Sequence, residues 1–297
     1  MKYLFLLLLT ACTALGQTAT LTRPDRSKLF YPENYGGADD RAKIQAAMDA
    51  AEATGGTVML APKTYSITTV NSPASGDKAA GAYGLEIPSN VALVGSGPNT
   101  VLSIVSDGAY GVGVGISPKG MRTATANFGA ASKVLLQDFS ISAATQAESN
   151  GNLLNIVHAS DWIVRRVRIG GCYFHGLELD QSRRILFEDC TWTGAYTGIS
   201  GSWIQFDYGA AGPVNRPAGI TTRAVEDVTF LRCVCEQRTA GESSSARDIE
   251  LTHNNTEMEL HRITFRECQF TGRNEQTVSI VDIASANPAT ITGASID

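Results

Sequence analysis

The strongest constraint on the fold is a nine-residue pattern that recurs five times along the chain. The five segments begin at Lys133, Asp161, Arg184, Asp227 and Arg262, and their gapless alignment produces four apolar columns. Recurrence at a fixed phase is typical of a solenoid, in which each repeat packs on the next. The columns contain Val134, Trp162, Ile185, Val228 and Ile263; Leu136, Val164, Phe187, Phe230 and Phe265; Phe139, Val167, Cys190, Cys233 and Cys268; and Ile141, Ile169, Trp192, Cys235 and Phe270.

The spacing of the columns indicates strands rather than helices. Columns one and two are two residues apart, and so are columns three and four, as in a strand with one buried face. Between these pairs the phase shifts by one residue, at polar positions such as Glu188 and Asp189, which predicts a bend between two short strands. Stacked coils would place each column as a ladder of side chains about 4.8 Å apart. The sequence therefore predicts an all-β solenoid, a single-stranded parallel β-helix.

A second set of short strands is predicted before the repeated segments. Its members are residues 154–156, 177–179, 204–206, 249–251 and 278–280. The Gly- and Ala-rich stretch 110–131 lacks the columns and is predicted to be a loop over the first coils. Extra length between coils falls mainly in residues 207–223 and 237–247, with a smaller excess in 252–260. Such loops on one side of a solenoid commonly carry its function.

An amphipathic helix is predicted before the first coil. Asp39 and Asp40 provide an N-cap for a helix over residues 42–53, which ends before Gly55 and Gly56. The helix has one apolar face, and a strand over residues 57–60 follows it. The apolar face consists of Ile44, Ala47, Met48 and Ala51.

Several motifs in this part of the chain resemble the opening of pectate-lyase-like right-handed β-helix proteins. They are Asn-Tyr-Gly at 34–36, Ile-Gln-Ala-Ala at 44–47, Gly-Gly-Thr-Val-Met-Leu-Ala-Pro at 55–62 and Thr-Tyr at 64–65. Residues 85–97 resemble the first full coil of that superfamily, which includes polygalacturonases, polysaccharide lyases and phage tailspikes. The resemblance implies a right-handed β-helix whose N-terminal end is capped by the α-helix. The Gly-Asp-Gly insert that usually precedes the Asp pair is absent here.

The first sixteen residues have the pattern of an export signal. Lys2 precedes an apolar run over residues 3–9 that is too short to span a membrane. Two processing sites are open: cleavage before Gln17, or a bacterial lipobox at residues 9–12 that would leave a lipidated Cys12 as the membrane anchor. The predicted organisation is a signal segment (1–16), an extended lead-in (17–29) and a β-helix domain (30–297). The mature protein is expected to be secreted or held at the cell surface.

Composition excludes some functions. Apolar residues make up 43% of the chain, charged residues 18%, and the net charge is −5. This charge argues against nucleic acid as a partner, since phosphate binding requires a basic face. Beyond Cys12 the cysteines are odd in number, and three share one inward column, so we interpret them as buried thiols; a Cys233–Cys268 bridge between coils is the alternative.

Carboxylates on the second strand set are the main catalytic candidates. In register, Asp180 and Asp207 would lie on adjacent strands about 5 Å apart, with Glu178 one pleat along the strand. Carboxylates at such separations suit glycoside hydrolysis, because close like charges also keep one of them protonated. Outward positions on a solvated strand are commonly polar in any case, so this prediction competes with a purely structural interpretation. The predicted substrate-binding residues are Glu250, His158, His253, Arg247, and, as a wall for sugar stacking, Trp203 and Tyr208.

His175 is a further catalytic candidate, because the resemblance places it where polygalacturonases carry a catalytic Asp. No Asp-Asp pair or Gly-His-Gly follows it on the next coils, so the polygalacturonase site does not carry over. Lyases of this fold use Lys or Arg as the base, often with calcium, and Arg183, Arg184 or Arg247 could fill that role. No metal or other cofactor is expected for a hydrolase.

The sequence therefore favours an exported enzyme that cleaves a polysaccharide by carboxylate-based hydrolysis. Two alternatives stay open. One is a polysaccharide lyase. The other is a non-catalytic surface or virion protein that binds glycans, for which a homotrimeric spike is the expected assembly.

Overall fold

A computed structural model describes residues 27–71, 82–105, 113–144, 151–172, 175–195, 202–208, 220–222, 224–236, 247–253, 259–270, 290–292 and 295–296. The predicted signal segment, most of the lead-in and the predicted strand at 278–280 lie outside these residues, as do most of the predicted long loops. Within the described part, no helix is long and apolar enough to cross a membrane.

The first described elements are strand β1 (Leu29–Phe30), a 3-10 turn (Pro32–Asn34) and helix α1 (Asp40–Glu52). The predicted cap is confirmed, because the Asp39 carboxylate accepts a hydrogen bond from the Ala42 amide at 2.7 Å. The predicted apolar face is also confirmed, since Ile44, Ala47, Met48 and Ala51 are all fully buried. The helix therefore covers the core at the N-terminal end of the coils, as the resemblance implies.

The described strands form two sheets, which we call the large sheet and the small sheet. The small sheet has the strand order β18-β15-β12-β10-β8-β5-β4, and all its pairs are parallel except β4–β5. Its strands are β4 (Val70–Asn71), β5 (Ala82–Ile87), β8 (Gly113–Pro118), β10 (Asn152–Val157), β12 (His175–Asp180), β15 (Ser202–Tyr208) and β18 (Arg247–His253).

The large sheet contains the repeated segments. Its main path runs β1-β2-β6-β9-β11-β13-β16-β19-β21, with β3, β7, β14, β17, β20 and β22 paired beside it. Its remaining strands are β2 (Gly56–Met59), β3 (Thr64–Thr68), β6 (Val91–Val94), β7 (Val101–Val105), β9 (Ser132–Ala143), β11 (Ser160–Cys172), β13 (Arg183–Glu188), β14 (Thr191–Ala195), β16 (Ala224–Leu231), β17 (Val234–Cys235), β19 (Glu259–Arg266), β20 (Gln269–Phe270), β21 (Thr290–Thr292) and β22 (Ser295–Ile296). The predicted parallel solenoid is confirmed.

The predicted columns pile up in register inside the coils. Phe187, Phe230 and Phe265 occupy paired positions on β13, β16 and β19. Their rings stack at centroid separations of 4.7 Å, with interplanar angles of 6° and 9°. The spacing equals the distance between neighbouring strands, so one aromatic residue per coil builds a continuous stack in the core.

The phase shift predicted inside each repeat is a bend at a residue in the left-handed backbone region. These residues are Asp138, Arg166, Asp189, Arg232 and Glu267, with φ between 49° and 61°. They occupy matching positions on successive coils, and their charges alternate in sign; we call them the second ladder. A first ladder of the same kind stands where each repeat begins, at Lys133, Asp161, Arg184, Asp227 and Arg262, with φ between 53° and 61°.

Arginine–carboxylate pairs connect neighbouring coils along both ladders. In the first ladder, Arg184 contacts the Asp161 carboxylate at 2.7 and 2.6 Å, and Arg262 binds Asp227 in the same two-pronged way. In the second ladder, Arg232 contacts Asp189 at 2.7 and 3.0 Å. Hydrogen bonds from Arg184 lower the pKa of Asp161, and those from Arg232 lower the pKa of Asp189. These pairs satisfy charges at bends that would otherwise leave polar side chains without partners.

The prediction of a loop over residues 110–131 is wrong in part. Strand β8 lies within it and pairs with β5 and β10. Gly115 explains why the pattern was missed, because a Cβ there would meet the Leu153 carbonyl oxygen at 2.6 Å and an Ile104 side-chain carbon at 2.9 Å. The strand needs glycine where neighbouring coils approach closely, so it lacks the apolar alternation.

Candidate functional site

A polar column crosses the outer face of the small sheet. Its side chains point away from the core because they alternate with inward residues such as Leu177 and Leu179, which are fully buried. The column extends over five neighbouring strands and continues at the backbone position of Glu250 on β18. Its members on these strands are Glu86, Ser117, Asn155, Glu178 and Gln205.

Glu178 is held by two asparagine amides. The Asn155 side chain donates to Glu178 Oε2 at 3.0 Å, and the Asn152 side chain donates to the same oxygen. Hydrogen bonds of this kind favour the ionised form of a carboxylate. Glu178 therefore lies in an environment suited to a fixed negative charge at the centre of the column.

Asp180 and Asp207 occupy paired positions on neighbouring strands, as the sequence predicted. Asp180 is 2% exposed. The side chain of Asp207 lies outside the described residues, so the predicted contact between the two carboxylates stays a prediction. The backbone register places their Cα atoms on strands that are about 4.8 Å apart.

His175 is buried rather than presented to solvent. Its ring is 1% exposed, and Nδ1 lies 2.7 Å from the Ser202 hydroxyl on the next strand. Burial lowers the pKa of His175 to about 3, so the ring is neutral at ordinary pH. The ring is therefore enclosed in this structure, and a catalytic role for His175 stays a prediction.

Two of the predicted substrate-binding residues are enclosed as well. Trp203 is fully buried and belongs to the main hydrophobic core, so its ring is not available for stacking on a sugar. His158 is also fully buried, and its carbonyl oxygen accepts a hydrogen bond from the Ala130 amide at 2.8 Å. Both side chains are therefore enclosed in this structure, and their contact with a substrate stays a prediction.

The remaining predicted residues are placed by their backbone alone. Arg247 pairs with Ser202, Glu250 with Gln205, and His253 with Tyr208. These pairs put all of them on the strands β15 and β18 of the small sheet. Their side chains lie outside the described residues, and their role as substrate-binding groups stays a prediction.

Residues 119–131 form a wall beside the polar column. Asn127 Oδ1 accepts hydrogen bonds from the Thr221 and Thr222 amides at 2.7 and 3.0 Å, which joins this segment to residues 220–222. The Arg183 guanidinium lies 4.4 Å from the centre of the Phe128 ring. Met121 and Ala130 pack on Val157 at the end of β10. The floor of polar side chains is thus bounded by an ordered segment rather than open on that side.

At the first coil, positively charged residues lie beside the outer face of the small sheet. The guanidinium groups of Arg41 and Arg122 lie 5.5 and 5.6 Å from the centre of the Tyr83 ring. Burial raises the pKa of Glu86, although the charges of Arg122, Lys119 and Arg41 oppose this rise. Lys119 itself contacts Asp49 and Glu52 of α1 at 3.0 and 2.6 Å. This end of the face could therefore hold an acidic group of a ligand.

Sequence reasoning missed Asn152 and Gln181. Asn152 lies at the start of β10, and Gln181 follows Asp180 with φ of 38°. Among the described residues, neither amide atom of Gln181 has a hydrogen-bond partner, and Asn155 Oδ1 also lacks one, although both residues are at least nine-tenths buried. Buried polar atoms without a protein partner commonly bind water or a ligand. In the sequence, the feature that could have indicated Asn152 and Gln181 is their position close to the predicted carboxylates.

No cluster of three or more His, Cys, Asp or Glu side chains that could hold a metal ion occurs within the part of the chain that the structure describes. Among the acidic side chains of the site, Glu178 is held by the amides of Asn152 and Asn155.

The overall architecture has counterparts among solved structures. PfbA, a surface adhesin of Streptococcus pneumoniae, superposes with a TM-score of 0.53 at 14% identity, covering 91% of this chain and 67% of the adhesin. ORF18 of Geobacillus virus E2 superposes with a TM-score of 0.50 at 14% identity, covering 90% of this chain and 52% of the viral protein. The chain folds as an all-β solenoid of parallel coils, a β-helix. At these identities the similarity of this β-helix to both proteins shows the fold alone.

One characterised protein is similar to part of the β-helix in sequence. Mannuronan C5-epimerase AlgE6 of Azotobacter vinelandii is 40% identical over 97 residues, which are 32% of this chain and 10% of the epimerase. The β-helix chain therefore matches about a tenth of that protein's length. No known family profile matches the chain.

Proposed function

We propose that this β-helix is a carbohydrate-active protein that hydrolyses a polysaccharide on the outer face of the small sheet. The observation that carries the proposal is the pairing of Asp180 with Asp207 on neighbouring strands, two residues beyond Glu178 in the polar column. Glu178 and Asp180 thus share one face with the backbone position of Asp207, beside amide side chains that can bind sugar hydroxyls.

The roles of the carboxyl groups follow from their surroundings. The two amide donors on Glu178 favour a permanent negative charge, which suits stabilisation of a positively charged transition state. Asp180 is 2% exposed and pairs with Asp207 in the backbone register, and we assign it the role of the general acid. Strand neighbours about 5 Å apart would suit a retaining mechanism, and the wider spacing to Glu178 an inverting one.

Polymers of acidic sugars are the first substrates to test. The 97-residue match is to a mannuronan C5-epimerase, and Arg41 and Arg122 provide positive charge at the first coil of the same face. A uronate chain across the face would place carboxylates near those guanidinium groups.

A panel of acidic and neutral polysaccharides, including mannuronan, tests the proposal. We expect new reducing ends without ultraviolet absorbance from unsaturated products, and we expect Asp180→Asn and Asp207→Asn each to lower the rate by on the order of 10²–10⁴-fold. Glu259→Gln, a partly exposed carboxyl on the large sheet, is the matched control and should retain full activity. Absence of turnover on every polymer, or full activity of both aspartate variants, would contradict hydrolysis; unsaturated products would favour the lyase alternative.

A second candidate function is glycan binding without catalysis. The burial of Asp180 favours it, because a carboxyl that is 2% exposed has little access to a bound sugar. In that case wild type and the Asp180→Asn, Asp207→Asn double variant would bind the same glycan equally, and neither would turn it over. Analytical ultracentrifugation of both would also test the homotrimer expected for a spike.

We also propose that the protein is exported from the cytoplasm. The mature protein is expected outside the cytoplasm, with its N-terminus at Gln17 or at a lipidated Cys12. Mass spectrometry of the protein recovered from its host distinguishes the two processing sites. Recovery of an intact Met1 end from the cytoplasm would contradict both.

A further inference from the structure

The three cysteines of the third apolar column, Cys190, Cys233 and Cys268, stack on successive coils. The amide of Val234 donates to the Cys190 carbonyl at 2.9 Å. The amide of Gln269 donates to the Cys233 carbonyl at the same distance. The register of these coils therefore places the three Cα atoms about 4.8 Å apart along the column. We call these three residues the thiol column; all of them are free thiols.

The three thiols point in the same direction. Each sulfur donates a hydrogen bond to a carbonyl oxygen of the preceding coil. The acceptors are Val164 for Cys190 (3.4 Å), Phe187 for Cys233 (3.6 Å) and Phe230 for Cys268 (3.4 Å). These acceptors occupy paired positions on β11, β13 and β16. The cysteine side chains are therefore parallel, and each sulfur lies next to the sulfur of the neighbouring coil.

The sulfurs of the thiol column also contact each other. The Cys233 thiol is hydrogen-bonded to Cys190 on one side and to Cys268 on the other. The bond with Cys190 raises the pKa of Cys233, and the bond with Cys233 raises the pKa of Cys268. Because the thiolate is the reactive form of cysteine, we expect these thiols to react slowly at neutral pH.

Neighbouring members of the thiol column are close enough for a disulfide. A Cα separation of about 4.8 Å lies within the range of about 4.4–6.8 Å that disulfides span. Cys233 is next to both other members, so the column has room for one disulfide and one remaining thiol. Exposure decides between the two pairs, because Cys190 and Cys233 are 1% and 2% exposed whereas Cys268 is partly exposed. A dissolved oxidant reaches Cys268 first, which selects the Cys233–Cys268 pair.

We propose that Cys233 and Cys268 are a site of reversible disulfide modification, with Cys190 retained as a thiol. A small disulfide such as oxidised glutathione supplies the oxidising equivalents. The Cys268 thiolate attacks this disulfide and releases one glutathione thiolate, which leaves a mixed disulfide on Cys268. The Cys233 thiolate then attacks the Cys268 sulfur and releases the second glutathione thiolate. The protein loses two electrons and two protons in all, and these leave on two molecules of reduced glutathione.

The bond would connect two coils that are otherwise joined by strand hydrogen bonds and packing. Cys233 lies between β16 and β17, and Cys268 lies between β19 and β20. Each of them directly follows a left-handed residue of the second ladder, Arg232 or Glu267. The disulfide would therefore fix the bend of one coil to the bend of the next.

Peptide mapping of the purified full chain tests this proposal. The reduced protein is incubated with oxidised glutathione at about pH 8.5, where more thiolate forms, then unfolded, blocked with an alkylating reagent and digested without reduction. We expect a linked Cys233–Cys268 peptide and an alkylated Cys190. Cys268→Ser should abolish that peptide, and any Cys190–Cys233 link should form at least roughly tenfold more slowly, because both remaining thiols are enclosed.

Cys235→Ser, in the neighbouring column, is the matched control and should form the Cys233–Cys268 link at the wild-type rate. Three results would overturn the proposal: no link in wild type, a Cys190–Cys233 link in wild type, or a mixed disulfide on Cys268 that never resolves into a link.

A second measurement needs neither oxidation nor a variant. Iodoacetamide should modify Cys268 of the reduced, folded protein at least roughly tenfold faster than Cys190 or Cys233. The rate at Cys268 should increase from about pH 7 to about pH 9, since its raised pKa leaves little thiolate at neutral pH. Equal labelling of the three cysteines would show that Cys268 is not the first to react, and would also overturn the proposal.

Discussion

At the scale of single residues, the small sheet has a corner at Trp203 that the sequence pattern does not show. Alternation from Ile204 and Phe206 assigns Trp203 to the outside, yet Trp203 is in the core. Gly176, its neighbour on β12, also faces inward, because a Cβ there would lie 2.9 Å from Trp192 Cδ1. Two successive inward residues at a corner break the period of two, so sequence reasoning placed Trp203 in the sugar-binding wall.

The buried ring of His175 makes the fold sensitive to mild acid. The unfolded chain takes up a proton on this histidine near its ordinary pKa of 6.5, whereas the folded chain does so only near pH 3. Between these values the unfolded state binds more protons, so the free energy of unfolding decreases as the pH falls. From pH 7 to pH 5 we expect His175 to contribute a loss of about 2 kcal/mol.

Urea unfolding of wild type and His175→Gln at pH 7 and pH 5 measures this contribution. The variant should lose less stability over that interval than wild type. His261→Gln, a partly exposed histidine on β19, is the control and should follow wild type. An identical pH dependence in His175→Gln and wild type would show that the buried ring does not cause the acid sensitivity.

At the scale of elements, the sequence predicted the bends but not their chemistry. The phase shift at Glu188 and Asp189 indicated where each repeat turns, and the structure places the turn at a left-handed residue. Neither the left-handed backbone nor the pairing of Arg232 with Asp189 could be inferred, because both require the register between coils. In the sequence alone, the charged residues at the bends have the pattern of ordinary solvent-exposed positions.

The first ladder predicts a graded stabilisation along the coils. The Arg184–Asp161 pair has side chains that are 28% and 12% exposed, whereas the Arg262 and Asp227 side chains are 58% and 33% exposed. A more exposed pair is screened by water and contributes less. Double-mutant cycles to alanine should therefore give a coupling energy of about 1 kcal/mol for the first pair and below about 0.5 kcal/mol for the second. Equal couplings, or a larger value for Arg262–Asp227, would contradict this order.

At the scale of the whole molecule, the stack of coils was predictable because one column of like side chains recurs at every turn. Phe187, Phe230 and Phe265 identified the coils from sequence, and their rings stack as expected. The candidate site was predictable only as a strand register. Its wall comes from residues 119–131 and 220–222, which carry no repeat.

The ring stack predicts a positional difference in stability. Phe230 has a stacked ring on both sides and is fully buried, whereas among the described residues Phe265 has one stacked ring, Phe230, and one edge-on ring, Phe270, and is 6% exposed. Phe230→Ala should lower the free energy of unfolding by about 3–5 kcal/mol, and Phe265→Ala by less. Urea titration followed by circular dichroism measures both. A larger loss for Phe265→Ala would argue against a continuous stack.

The alternation of charge along the bends also has a consequence for how a repetitive chain finds its partner strands. If one coil were skipped during folding, Asp161 would meet Asp227 and Arg184 would meet Arg262, and the same mismatch would arise at Asp138 and Asp189. Like charges placed opposite each other on neighbouring strands are unfavourable. Both ladders therefore disfavour a mispaired coil. The apolar columns alone would tolerate it, because their side chains are similar from coil to coil.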